Sequence, residues 1–112
     1  MPKRTAPSLL ALLLITVPWQ AAPNPQPPQV WSHHKLLGVE AGVCAKTARQ
    51  AVMDLGFAEV STREDYTYAH RGSNRAAIKC VSLDRGTFMY LAVAGPDWKA
   101  VKKLRNEIAA KF

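Results

Sequence analysis

The sequence of 112 residues lacks the short motifs that mark most enzymes and metalloproteins. It has no glycine-rich phosphate loop, no GxSxG or HExxH segment and no CxxC pair. Such motifs position phosphate ligands, catalytic serines, catalytic zinc and redox thiols. We therefore expect a protein that is not an enzyme and that needs no metal or other cofactor. A small hydrolase or a metal carrier is the weakest hypothesis.

Long apolar runs are also scarce. The longest one is Leu9 to Val17, which is broken only by Thr16 and is about half of the roughly 20 apolar residues that a membrane-spanning helix needs. Two basic residues precede this run, Pro18 ends it, and Ala21-Ala22 follow. This order is typical of a secretory signal peptide rather than a membrane anchor. We predict a signal peptide over residues 1–22, a secreted or periplasmic location, and no stable membrane span after cleavage.

Cysteine is limited to Cys44 and Cys80, which are 36 positions apart. An even number of cysteines in an exported protein favours a disulfide. Free thiols or a redox-active pair are the alternatives, and the absence of CxxC spacing disfavours redox chemistry. We predict a structural disulfide between the two residues.

Acidic residues are outnumbered, with 8 Asp and Glu against 15 Lys and Arg. Loss of Lys3 and Arg4 with the signal leaves 13 basic residues and a net charge of +5. A positive exported protein meets anionic envelope polymers, lipids and acidic proteins. No helix-turn-helix pattern and no interleaving of aromatic and basic residues indicates nucleic acid. The expected partner is an unknown protein or an envelope component, and no nucleic acid is expected.

Prolines are concentrated in one place, with five of the eight between residues 18 and 28. A proline-rich segment of this kind forms no core of its own. We predict a disordered linker over residues 23–35 and one small domain over residues 36–112. The stretch Val30 to Val39 has enough apolar residues to dock, either as an edge strand or as a cover for one face of a sheet.

Apolar periodicity gives the elements of the domain. Spacings of three and four predict a helix over residues 40–55, with Cys44 on its buried face and Gly56 at its end. Alternation predicts short strands over 57–61, 66–71, 75–83 and 87–94. A second helix follows Pro96. We predict an α+β fold, a two-layer sandwich of an antiparallel meander of three to four strands with two helices (α-β-β-β-β-α) on one face.

Two surfaces are candidates for binding. The strand 87–94 is apolar on both sides, so the sheet face away from the helices carries exposed apolar residues that favour an interaction. On that face we select Tyr66, Tyr68, His70 and Val81. We predict an exported, non-catalytic binding module, with a homodimer through the sheet as one form of association. The alternative is a basic surface that binds anionic envelope polymers or lipids through Lys99, Lys102, Lys103 and Arg105.

Overall fold

The computed structural model describes residues 27–63 and 65–112. The elements follow in the order β1 (Gln29–Leu37), α1 (Ala41–Asp54), β2 (Ala58–Arg63), β3 (Tyr66–Arg71), β4 (Asn74–Leu83), β5 (Gly86–Gly95) and α2 (Trp98–Ala109). The predicted signal peptide, residues 1–22, lies outside the described residues.

The five strands form one antiparallel sheet in the order β1-β5-β4-β3-β2. Strands β2 to β5 are the predicted meander, joined by short turns. The fold class is therefore confirmed, with five strands in place of the predicted three or four. The additional strand is β1, which pairs with β5 along its whole length, from Gln29 opposite Gly95 to Leu37 opposite Thr87.

The position of β1 corrects two expectations about the N-terminal part of the domain. Residues 29–35, assigned to the linker from the sequence, form most of this strand, so the ordered domain begins before residue 36. The hypothesis that Val30 to Val39 covers one face of the sheet is wrong. Backbone pairing with β5 places this stretch in the plane of the sheet, at its edge.

Both helices pack on the same face of the sheet. Helix α1 lies mainly against β2, β3 and β4, and α2 lies against β1 and β5. Because four successive antiparallel pairings separate β1 from β2, the two edge strands run parallel, and α1 crosses the sheet to connect them. The core between the two layers contains fifteen buried apolar residues, among them Val52, Ile78, Met89, Leu91 and Ile108.

The predicted disulfide joins the two layers. Cys44 on α1 and Cys80 on β4 are bonded, and their Cα atoms are 6.0 Å apart. Both residues are fully enclosed by the core. The bond therefore fixes the face of β4 that carries Ala76, Ile78 and Cys80 against the helices, and it leaves Ala77, Lys79 and Val81 on the opposite face.

The second helix begins as its sequence indicates. The Asp97 side chain accepts a hydrogen bond from the backbone N–H of Lys99 at 3.2 Å, which satisfies one of the free donors of the first turn. Val101, Leu104 and Ile108 form the buried stripe. Trp98, three residues before Val101, is exposed.

Candidate functional site

The sheet has one face that no helix of the described residues covers, and we call it the open face. Alternation along β3 places Tyr66, Tyr68 and His70 on it, while Thr67 and Ala69 are buried under the helices. The rings of Tyr66 and Tyr68 stack with their centroids 5.5 Å apart. The predicted tyrosine stripe is therefore an ordered aromatic surface that lies away from the core.

A lysine occupies the middle of the open face. Lys79 on β4 lies directly between Tyr66 on β3 and Tyr90 on β5 in the strand register. Its Nζ donates to the Tyr66 hydroxyl at 3.1 Å and lies 4.7 Å from the centre of the Tyr66 ring. This hydrogen bond raises the pKa of Lys79 above its ordinary value of 10.5. Lys79 is thus a fixed cation within an aromatic surface.

One end of the open face is apolar. The register places Leu36 of β1 beside Phe88 of β5, and Phe88 beside Val81 of β4, so the three side chains form a row across three strands. Leu83 lies next along β4 on the same face. Leu36 is 71% exposed and Leu83 is 50% exposed. Val81, predicted as a binding residue, therefore belongs to an apolar row one step from Lys79.

The charged side chains that the strands place on this face are cationic, and the carboxylates of Glu59 and Asp65 lie near its edge. Among the described residues that alternate onto it, Arg63, Arg75 and Lys79 are cationic and none is Asp or Glu. Glu59 lies beside the face at the irregular start of β2, where its carboxylate contacts the His70 ring. His70, selected from the sequence, therefore faces a carboxylate of its own chain.

Sequence reasoning selected part of the open face and missed Leu36, Lys79 and Tyr90. Lys79 could have been selected from the sequence, because it is two residues from Val81 in β4 and alternation places both side chains on the same face. Leu36 could not be placed, because its strand does not pair with the next strand in sequence; Leu36 lies opposite Phe88 of β5, 52 residues further along the chain.

A second surface lies where α2 begins beside β1. The rings of Trp31 on β1 and Trp98 on α2 stack with centroids 6.4 Å apart and planes 22° apart. Three cations surround them: the Lys102 Nζ and the Arg105 guanidinium carbon are each 5.4 Å from the Trp31 ring, and the Lys99 Nζ is 5.7 Å from the Trp98 ring. We call these five residues the tryptophan–lysine cluster.

Three of the four cations predicted as an anionic-ligand surface therefore come together, and the fourth does not. Lys103 lies 3.9 Å from Glu107, one turn further along α2. The two tryptophans that organise the cluster were missed as site residues. Trp31 is 67 residues from Trp98 in sequence, and the pairing of β1 with β5 is what brings them together.

Histidines and other potential metal ligands are dispersed. Within residues 27–63 and 65–112, no group of three His, Cys, Asp or Glu side chains is close enough to hold a metal ion. His33 and His34 are adjacent in β1 and alternate between the two faces of the sheet. His34 stacks on Phe88, with ring centroids 5.7 Å apart.

No helix in the part of the chain that the structure describes is both long and apolar enough to cross a bilayer. Comparison with protein-family models, with curated proteins and with solved structures gave no match. The two surfaces are therefore the features of this chain that bear on its function.

Proposed function

We propose that this protein is an exported, non-catalytic binding module and that its open face binds a partner protein whose surface carries apolar and acidic side chains. One observation supports this most directly. The large apolar and aromatic residues of the open face remain exposed or half-buried in the described fold, and the charged residues that alternate among them along the strands are cationic. Exposed apolar patches of this kind are typical of interaction surfaces.

The chemistry of the face favours one kind of partner. Tyrosine provides a large rigid contact area together with a hydroxyl group, and it is enriched at protein interfaces. Tyr90 is 43% exposed beside Lys79, so an apolar group could contact the ring while an acidic group pairs with the amine. Leu36 and Phe88 supply the apolar contact at the end of the face.

Binding of a second copy through the same face is less favourable. Two open faces brought together would place Lys79 and Arg75 of one copy near cations of the other, and like charges across an interface oppose association. An acidic partner removes that repulsion. Export is supported by the enclosed disulfide, since such bonds persist in oxidising compartments.

The test is site-specific photocrosslinking in the cells that produce the protein. A photoreactive amino acid replaces Leu36 or Tyr90 on the open face, and Met53, an exposed residue of α1 on the helix layer, provides the matched control. We expect one discrete protein adduct from positions 36 and 90 and none from position 53. Adding Lys79→Glu should abolish the adduct, and Lys79→Gln should weaken it, with circular dichroism unchanged.

Two results would overturn the proposal. One is the same set of adducts from position 53 as from positions 36 and 90, because the open face would then have no special role. The other is a covalent dimer of the chain itself from positions 36 and 90, together with concentration-dependent sedimentation, which would assign the face to self-association.

A further inference from the structure

The tryptophan–lysine cluster combines residues that maintain the fold with residues that are free to bind. Trp31 is partly buried and packs against the core. The Arg105 guanidinium donates to the backbone carbonyl of Ser32 at 2.8 Å, which ties α2 to the edge of the sheet. These two residues account for the position of the cluster.

The other three members have no such structural role. Trp98 is 47% exposed, and the side chains of Lys99 and Lys102 are exposed beside it. The contacts of the two lysines are with indole rings, so their ammonium groups stay at the edge of an aromatic surface. The acidic groups nearby are Asp97, which caps α2, and Glu107, which faces Lys103.

We infer that this cluster binds the surface of an anionic lipid bilayer. Lys99 and Lys102 would contact the headgroup phosphates, and the exposed indole of Trp98 would enter the headgroup region. Indole has an apolar ring and one N–H donor, which is why tryptophan is enriched at membrane interfaces. Lysines beside an anionic membrane add electrostatic attraction that acts within a Debye length of the surface.

The exposed tryptophan is what favours a bilayer over a soluble polyanion. A polyanion such as a sulfated polysaccharide is bound mainly through charge, and for that purpose a lysine surface without Trp98 would be sufficient. This surface lies on α2 and the edge of β1. It is therefore separate from the open face, and the bilayer contact does not depend on the proposed binding of a partner protein.

The test measures binding of the purified protein to vesicles of phosphatidylglycerol and phosphatidylcholine by co-sedimentation. We expect Lys99→Glu/Lys102→Glu to weaken binding by roughly 30-fold or more, because the attraction of two lysines near an anionic surface is lost and each glutamate adds repulsion. The matched control is Lys46→Glu/Arg85→Glu, which changes the net charge equally at exposed positions away from the cluster. It should bind more tightly than the cluster variant.

Insertion of the indole is tested separately with vesicles that carry brominated acyl chains. Quenching of tryptophan emission should decrease in Trp98→Phe, while Lys99 and Lys102 still give salt-sensitive binding. The inference is overturned if the cluster and control variants bind equally, if phosphatidylcholine alone binds as well as the anionic mixture, or if heparin binds through the two lysines while vesicles do not.

Discussion

Lys79 Nζ and the Tyr66 hydroxyl are 3.1 Å apart, in the centre of the uncovered face of the sheet. The hydrogen bond that Lys79 Nζ donates to the Tyr66 hydroxyl is the main cause of the raised pKa of Lys79. We therefore predict that the Lys79 amine titrates above 10.5 in the folded protein. In Tyr66→Phe, which retains the ring and removes the hydroxyl, the midpoint should fall toward 10.5.

The measurement is the ¹³Cε chemical shift of Lys79 followed by NMR between pH 8 and 12. Because the folded pKa exceeds the unfolded one, the associated stabilisation is present below pH 10.5 and is lost as the pH rises through the folded value. Tyr68→Phe is the control, since Tyr68 is the smallest of the causes that raise this pKa. A midpoint at or below 10.5 in the wild-type protein would contradict the prediction.

The disulfide supplies the second prediction. Closing a loop of 36 residues restricts the unfolded chain by about 3–4 kcal/mol in the entropy model. The double variant Cys44→Ala/Cys80→Ala should lose about that much free energy of unfolding in urea. Reductant should destabilise the wild-type protein to a similar degree and leave the variant unchanged. A variant as stable as the wild type would show that the core alone fixes α1 on β4.

Local patterns were sufficient to predict the helices and four of the strands. The strand Tyr66–Arg71 was predicted with the bounds that the structure has, because its alternating residues separate cleanly into a buried set with Ala69 and an exposed set with Tyr68. The pairing of Cys44 with Cys80 followed from composition and indicated which face of β4 the helices cover.

The edge strand β1 could not be predicted from local patterns, because it forms by non-local pairing. The stretch Gln29–Leu37 alternates Trp31 and His33 with Ser32 and His34, so it contains no clear separation of apolar from polar residues. The position of this stretch in the sheet depends on the edge of β5, which would be unpaired without it. The open face and the tryptophan–lysine cluster both depend on this strand, since it contributes Leu36 to the first and Trp31 to the second.

Exposure separates residues available for binding from residues that hold the fold. Leu36 is 71% exposed, whereas Leu91 on the neighbouring strand is fully buried. We predict that Leu36→Ala changes the free energy of unfolding by less than about 0.5 kcal/mol. Leu91→Ala should cost about 2–5 kcal/mol because it leaves a cavity in the core. Urea denaturation of both variants compares them, and a large loss in Leu36→Ala would mean that a further segment packs on the open face.

The turn between β4 and β5 gives the last prediction. Gly86 has φ 125°, and a Cβ atom added there would lie 2.2 Å from the backbone carbonyl oxygen of Leu37 at the end of β1. Both the backbone conformation and this close approach exclude a larger residue. Gly86→Ala should therefore lower the free energy of unfolding by more than about 2 kcal/mol and loosen the end of β1.

Gly42, inside α1 with no heavy atom within 4 Å of an added Cβ, is the control. There the same substitution should stabilise the protein by up to about 1 kcal/mol, because alanine favours a helix. Urea denaturation measures both changes, and amide exchange across β1 reports the loosening. If Gly86→Ala retained the stability and the β1 protection of the wild type, the contact between this turn and Leu37 would not be what holds the edge strand in register.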